Sequence, residues 1–268
     1  MASETVAAVR SRLRSEAMRH GVNPRDVDLL LSDMLQRPLP YVVAHGDEVV
    51  DSMRIERMMS RRYKGEPLQY IRGRTEFFSR EFHVDDRVLI PRPETEILVE
   101  TAIQRAPQGA RVVDIGTGSG CIAISIERSR PDLRVLGTDV SPGALAVADR
   151  NRRALGSRVS LAASDLLDST RGQFDMIVSN PPYIASGEVA TLATEVKDHE
   201  PRLALTPGER GTEIIERMLN AVRAPLILME IGYGQARAVR EIAESRGFTV
   251  ERIIPDLAGI PRVAVITA

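Results

Sequence analysis

The chain has 268 residues, 43% hydrophobic and 27% charged, with a formal net charge of −1. That length allows one large domain or two ordinary ones, and the composition is that of a globular protein in water. The near-neutral balance excludes a global basic field that would gather nucleic acid, leaving room only for a local patch. No apolar run approaches the ~18–20 residues that a membrane span needs. A lone Cys121 and four scattered histidines (His20, His45, His83, His199) exclude a disulfide framework and make a metal centre an unexpected feature. The start Met1-Ala2-Ser3-Glu4 carries no basic segment followed by an apolar one, so a cytoplasmic protein is expected.

In chain order, residues from about 3 to 70 read as a small helical bundle. Val6, Val9, Leu13 and Ala17 recur at helical steps up to Gly21. Asn23-Pro24 reads as a cap and first-turn proline, followed by Val27, Leu30, Leu31, Met34 and Leu35 up to Pro38. A third helix is expected to carry Val49, Val50, Met53, Met58 and Met59, with the methionines as core. Thr75-Glu76-Phe77-Phe78 and Glu81-Phe82-His83-Val84, on either side of Ser79-Arg80, predict a β-hairpin. In Val88-Leu89-Ile90-Pro91-Arg92-Pro93-Glu94-Thr95-Glu96, two prolines and acidic residues predict a rigid entry to a helix that runs through Ala106.

From Arg111 onward, strand and helix patterns alternate. Strands are expected over 111–115, 134–138, 158–162, 174–179, 225–231, 248–254 and 262–267, mostly as continuous apolar runs typical of strands covered on both faces. Helices are expected over 120–128, 143–155 and 212–222. Such alternation implies a parallel, doubly wound sheet. Only Pro255-Asp256-Leu257-Ala258-Gly259-Ile260-Pro261 separates the last two strands, too little for a crossover helix, so these two should pair antiparallel.

In open α/β sheets ligands bind beyond the carboxyl ends of the strands. Four of those ends carry chemistry here. Asp114-Ile115-Gly116-Thr117-Gly118-Ser119-Gly120 is a glycine turn opening a helix, where backbone can approach a ligand and free N–H groups point outward. A dinucleotide fingerprint would place its third glycine at Cys121, so a nucleoside bearing a carboxylate fits better than a pyrophosphate. Cys121 itself reads as a small buried residue. Asp139 closes the next strand and can accept both ribose hydroxyls; its other reading is a cap for the helix starting near Ser141-Pro142. Ser164-Asp165-Leu166 follows the third strand, where an adenine ring could be bracketed. The fourth strand breaks into Ser179-Asn180-Pro181-Pro182-Tyr183. Asn180 precedes a proline and is held extended, while Pro181 and Pro182 lack N–H groups. The result is a stiff rim of acceptors, with the aromatic face of Tyr183 beside them, suited to a planar –NH2 group.

The order GTGSG, TD, SD, NPPY resembles the amino-methyltransferase group of class I methyltransferases. With EPLQYIRG, the phenylalanine-rich hairpin, VLIPRPETE and SNPPYI, the chain resembles the HemK/PrmC family from about Glu66 to its end. The resemblance implies an α/β fold: a seven-stranded class I (Rossmann-like) methyltransferase sheet with a small N-terminal helical bundle joined by a β-hairpin. The implied organisation is a helical substrate-docking domain over 1–72, a hairpin linker over 73–92 and a methyltransferase domain over 93–268. It implies S-adenosyl-L-methionine as methyl donor, leaving S-adenosyl-L-homocysteine, and the glutamine of the Gly-Gly-Gln motif of class 1 peptide chain release factors as acceptor. No membrane or direct nucleic-acid partner is expected. Gly116, Thr117, Gly118, Ser119 and Gly120 would wrap the amino-acid end of the donor, Asp139 the ribose, and Asp165 and Leu166 the adenine. Asn180, also beside the donor, would act with Pro181, Pro182 and Tyr183 on the glutamine amide, with Asn180, Pro181 and Tyr183 as the catalytic set. A sister family methylates a glutamine of a ribosomal protein; methylation of an exocyclic amine on a nucleic-acid base is a further alternative. Thr206-Pro207-Gly208-Glu209-Arg210-Gly211 departs from the glycine-glycine-rich turn usual in the family.

Overall fold

A computed structural model describes residues 3–170, 172–222 and 224–268. The chain divides into two compact units. The first holds the described residues up to Gly73, together with Ala193–His199. In it, β1 (Ser3–Thr5) pairs antiparallel with β2 (Val49–Asp51), and the helices are α1 (Val6–Arg19), α2 (Arg25–Leu35), α3 (Leu39–Ala44), α4 (Ser52–Tyr63) and α5 (Leu68–Arg72). The third expected helix is corrected at its start. Val49 and Val50 are β-branched and lie extended opposite Thr5 and Glu4. The helix begins only after Asp51, whose Oδ1 accepts from the Arg54 N–H at 3.2 Å. Apolar residues of α1 (Val6, Val9, Leu13, Ala17), α2 (Val27, Leu30, Leu31) and α4 (Ile55, Met59) share one core. Met59 is buried, but Met53 is 48% exposed, so the methionines do not all enter that core. Arg62 pairs with Asp26 at 2.8 Å and with Glu195 at 2.6 Å, which fastens the inserted 193–199 segment to α4.

The second unit opens with the hairpin β3 (Arg74–Phe77) and β4 (Arg80–His83). Its two-residue turn is Phe78-Ser79, one residue earlier than the sequence suggests, with φ of +49° and +57° as a twisted two-residue hairpin turn requires. Phe77 and Phe82 meet edge to face at 6.1 Å and are buried against Leu98 and Val99 of α6 (Glu96–Arg105). The segment read from sequence as a linker thus contributes to the core of this unit.

The sheet strands are β5 (Arg111–Ile115), β6 (Arg134–Asp139), β7 (Ser160–Ala163), β8 (Met176–Ser179), β9 (Leu226–Glu230), β10 (Thr249–Pro255) and β11 (Pro261–Thr267). Their order is β10-β11-β9-β8-β5-β6-β7. As expected, the sheet has seven strands and β11 runs antiparallel to β10; it also runs antiparallel to β9, and the other pairs are parallel. Alternate residues serve opposite faces, as the two-residue period of a strand demands. Val112, Met176, Val178, Leu228 and Val265 join the hairpin, α6 and α7 (Cys121–Ser129). Val113, Ile177, Ile227, Met229 and Ile266 enter the second core.

Following α8 (Pro142–Ala154), the short α9 (Thr194–Lys197) lies in the inserted segment, and α10 (Arg202–Leu205) returns the chain to the second unit. α11 (Glu213–Ala221) and α12 (Ala236–Glu244) supply Ile215, Met218, Leu219, Val239 and Ala243 to the second core. No helix among the described residues is long and apolar enough to cross a membrane. Ser179 lies level with Ile115 on one side and Met229 on the other, and Ile115 with Thr138. The carboxyl ends of β9, β8, β5 and β6 therefore sit side by side.

Candidate active site

A cavity of about 410 Å3 opens beyond these strand ends, within the usual range of small-molecule sites. Gly116, Thr117, Gly118 and Ser119 line one wall. Gly116 and Gly118 have φ of +74° and +55°, where a side chain would be strained, and a Cβ on either would meet open space. The backbone there is laid open to a ligand. The turn is held from below, because the Gly116 and Thr117 N–H groups donate to the Thr138 carbonyl at 2.9 and 2.8 Å. The Thr117 hydroxyl donates to Asp114 at 2.6 Å. Asp114 is fully buried, which pushes its carboxyl up to about 7; Thr117 opposes that shift and the charge of Asp139 adds to it. Gly120 stands apart from the lining. A Cβ there would meet Ile124 Cδ1 at 2.9 Å and Ala148 Cβ at 3.3 Å, so its place is in helix packing.

Asp139 closes β6 at the cavity, its Oδ2 accepting from the Gly118 N–H and its Oδ1 from the Ser141 N–H, both at 2.9 Å. Burial raises its pKa and these amide donors oppose the rise. The cap of α8 is supplied by Ser141, whose hydroxyl accepts from the Ala144 N–H at 3.2 Å. Asp139 is thereby not needed as the helix cap, and it lines the cavity. Beyond it, Val140, Ile214 and Leu166 give apolar wall, and Asp165 pairs with Arg217 at 2.7 Å. Leu166 has a φ of +50° and its carbonyl accepts from the Thr138 hydroxyl at 3.2 Å.

Asn180, Pro181 and Pro182, at the end of the neighbouring strand β8, line the same cavity. The Ser179 hydroxyl donates to the Ile115 carbonyl at 2.7 Å, locking this strand end to the glycine turn. Asn180 Nδ2 donates to Thr95 Oγ1 at 3.2 Å, and Thr95 Oγ1 donates to Glu230 Oε2 at 2.7 Å. Tyr183 lies outside the lining. Its hydroxyl donates to Glu230 Oε1 at 3.3 Å, and burial raises its pKa. Glu230 is 1% exposed; burial raises its pKa, while the hydrogen bonds from Thr95 and Tyr183 oppose the rise. Past the tetrapeptide, the Ser186 N–H donates to the Gly208 carbonyl at 2.8 Å. Gln235 Nε2 donates to the carbonyls of Tyr183 at 2.9 Å and Gly211 at 3.2 Å. These bonds fix the 206–211 loop, which brings Thr206 and Pro207 to the cavity. Cys121 is 8% exposed and burial pushes its thiol up to about 12. An aromatic disulfide reagent at pH 8 should leave it unmodified in the native protein and modify it after unfolding, as absorbance of the released thiolate would show.

Thr95, Glu230 and Gln235 were not singled out by sequence reasoning as functional. Glu230 did carry a signal, being an acid at the end of the apolar run Leu226-Ile227-Leu228-Met229. A charge there is costly unless it is hydrogen-bonded to something that matters. Thr95 lies within the Arg92-Pro93-Glu94-Thr95-Glu96 stretch that carries the family resemblance, but nothing in that stretch marks its hydroxyl.

The glycine cradle and the acid at the next strand end fit S-adenosylmethionine, and with the seven-stranded sheet they define a class I S-adenosylmethionine-dependent methyltransferase. The family models "PrmC N-terminal domain" and "Methyltransferase small domain" match residues 4–73 and 93–251. The chain belongs to the HemK/PrmC family of release factor glutamine methyltransferases. A release factor glutamine methyltransferase of Koribacter versatilis is 43% identical over 256 residues, covering 91% of either chain. One from Neisseria gonorrhoeae is 40% identical, covering 82% of this chain and 84% of its own. The hMettl16 catalytic domain, solved with an RNA hairpin, shares the fold at a TM-score of 0.55 and 17% identity, over 70% of this chain and 74% of its own.

Proposed function

We propose that this protein transfers a methyl group from S-adenosylmethionine to the side-chain amide nitrogen of the glutamine in the Gly-Gly-Gln motif of class 1 peptide chain release factors, in the cytoplasm. The observation that carries the proposal is that Asn180 and Pro181 line one cavity together with Gly116, Gly118 and Asp139. The names of the relatives support the choice of substrate. Residues 1–72 are proposed to dock the release factor, with no nucleic acid taking part.

Bound S-adenosylmethionine supplies an electrophilic methyl on a sulfonium sulfur. In this reading Gly116, Thr117, Gly118 and Ser119 receive its amino-acid end, Asp139 its ribose hydroxyls, and Val140, Asp165 and Leu166 border its adenine. Asn180 Oδ1 and the backbone carbonyls at Asn180 and Pro181 accept the two N–H groups of the glutamine amide. That nitrogen is a poor nucleophile, because its lone pair is delocalised with a rotation barrier of ~18–20 kcal/mol. Forming the N–CH3 bond would break the S–CH3 bond and release S-adenosylhomocysteine, with one amide proton passing to water; the N–H groups become more acidic along the way and acceptors already placed at them gain strength. Preorganised partners of this sort are worth about 3–4 kcal/mol each. Holding the nitrogen ~3–3.5 Å from the methyl lowers the barrier by at least as much again. Tyr183 contributes by anchoring the tetrapeptide through Glu230.

Radiolabel transfer from S-adenosylmethionine to a purified class 1 release factor, a ribosomal protein and a nucleic acid at equal concentration tests the substrate class. Transfer to the release factor alone is expected. Equal or preferential transfer to nucleic acid would replace the proposal.

A further inference from the structure

The geometry points to Thr95 and Glu230 as positioning residues that fix which end of the Asn180 amide faces the substrate. This inference rests on the function proposed above. A threonine hydroxyl has one hydrogen to give and lone pairs to receive with. Here the hydrogen goes to Glu230 Oε2 at 2.7 Å, in a site where Thr95 is 2% and Glu230 1% exposed, so water does not compete for it. What Thr95 shows to Asn180 is therefore a lone pair. Only the –NH2 of the Asn180 amide can meet it, as it does at 3.2 Å. The amide oxygen is thereby kept out of that hydrogen bond and left free to accept; Asn180 and Thr95 both line the cavity, where a glutamine –NH2 needs an acceptor. Were the hydroxyl hydrogen free to point at Asn180, the amide could sit either way round. In one of those two states it would present N–H groups to the substrate's own N–H groups.

Glu230 serves both ends of the tetrapeptide, because its other oxygen takes the Tyr183 hydroxyl at 3.3 Å. Its ionised state matters to the device. A protonated Glu230 would donate to Thr95 Oγ1, and the threonine hydrogen would then turn to Asn180 and favour the reversed amide. The charged and titratable groups near Glu230 are Tyr183, Arg262 on the neighbouring strand β11, Glu94, and Cys121 of α7. Burial raises the Glu230 pKa, which brings the switch above the ordinary carboxylate range.

The test uses the full chain, S-adenosylmethionine and a release factor, with single-turnover rates and donor affinity measured separately. Thr95→Val, which keeps the shape and removes the hydroxyl, should lower the methyl-transfer rate about tenfold or more with donor affinity unchanged. Thr95→Ser should recover most of the loss. In an Asn180→Ala background, Thr95→Val should cost nothing further, because the residue it orients is gone. An equal loss in both backgrounds, or no loss in either, would overturn the inference. Should Thr95→Val fail to fold, the wild-type rate against pH decides. It should fall on the acid side with a midpoint above about 4.3, the ordinary glutamate value, and Glu230→Gln should remove that limb. An acid limb with its midpoint no higher than that ordinary value, or a limb that survives in Glu230→Gln, would overturn it. Failure of the wild type to methylate the release factor would instead reject the proposed function and is distinguishable on that ground.

Discussion

Replacing Asn180 by alanine is expected to lower turnover roughly a hundredfold or more while changing S-adenosylmethionine affinity little. The side chain lines the same cavity as the glycine turn and its –NH2 is held by Thr95, so in the proposed mechanism its loss removes an acceptor placed before the reaction starts. Loss of one such preorganised partner costs about 3–4 kcal/mol in the transition state, and each ~1.4 kcal/mol is tenfold in rate. Pro181 and Pro182 hold the backbone rim in place without the side chain, and Gly116, Gly118 and Asp139 are untouched. Donor binding should survive for that reason. Rapid-quench turnover at saturating donor, beside a calorimetric titration of the donor, separates the two quantities. Near-normal turnover in this variant would remove Asn180 from the mechanism.

Asp139→Ala should show the converse split. Its carboxylate is held by the Gly118 and Ser141 amides and, in the proposed reading, receives two hydroxyls of a ribose. Hydrogen bonds to a charged acceptor are worth about 1.5–3 kcal/mol each, so losing two should weaken donor affinity about a hundredfold or more. Detachment of Gly118 from its anchor adds to the loss. At saturating donor the rate should recover to within about tenfold of wild type, because the amide-binding wall is intact. Helix α8 should remain, since Ser141 caps it, and circular dichroism checks that. Unchanged affinity would remove Asp139 from the donor site.

The contrast between these variants follows features that are legible in the sequence alone. The glycine turn, Asp139 and the Asn-Pro-Pro-Tyr break each sit at the end of an apolar run, and strand alternation dictates that such ends gather on one side of the sheet. The seven-residue link Pro255–Pro261 set the antiparallel end in the same way, by excluding a helix. What sequence could not supply were partners distant in the chain. Thr95 and Glu230 are 135 positions apart and meet only because α6 starts beside the end of β9. The place of Tyr183 was hidden for the same reason: an aromatic beside a polar rim suggests a stacking face, whereas its hydroxyl finds Glu230. Gly120 illustrates a different limit, since a glycine that opens a ligand cradle and one that admits a neighbouring helix look alike in a motif. Val49 and Val50 fit a helical stripe by spacing, but an Asp51 cap and a facing β1 outweighed that spacing.

In the proposed reaction this cavity brings a glutamine amide nitrogen to a sulfonium methyl. The most direct measurement is incubation with isotopically labelled S-adenosylmethionine and a purified class 1 release factor, followed by fragment mass mapping of the product. One methyl on the side-chain amide of the Gly-Gly-Gln glutamine, formed far more slowly when Asn180→Ala replaces the wild type, is the predicted result. A methyl mapped to any other residue, or no methyl on a release factor while the protein binds the donor, would contradict it.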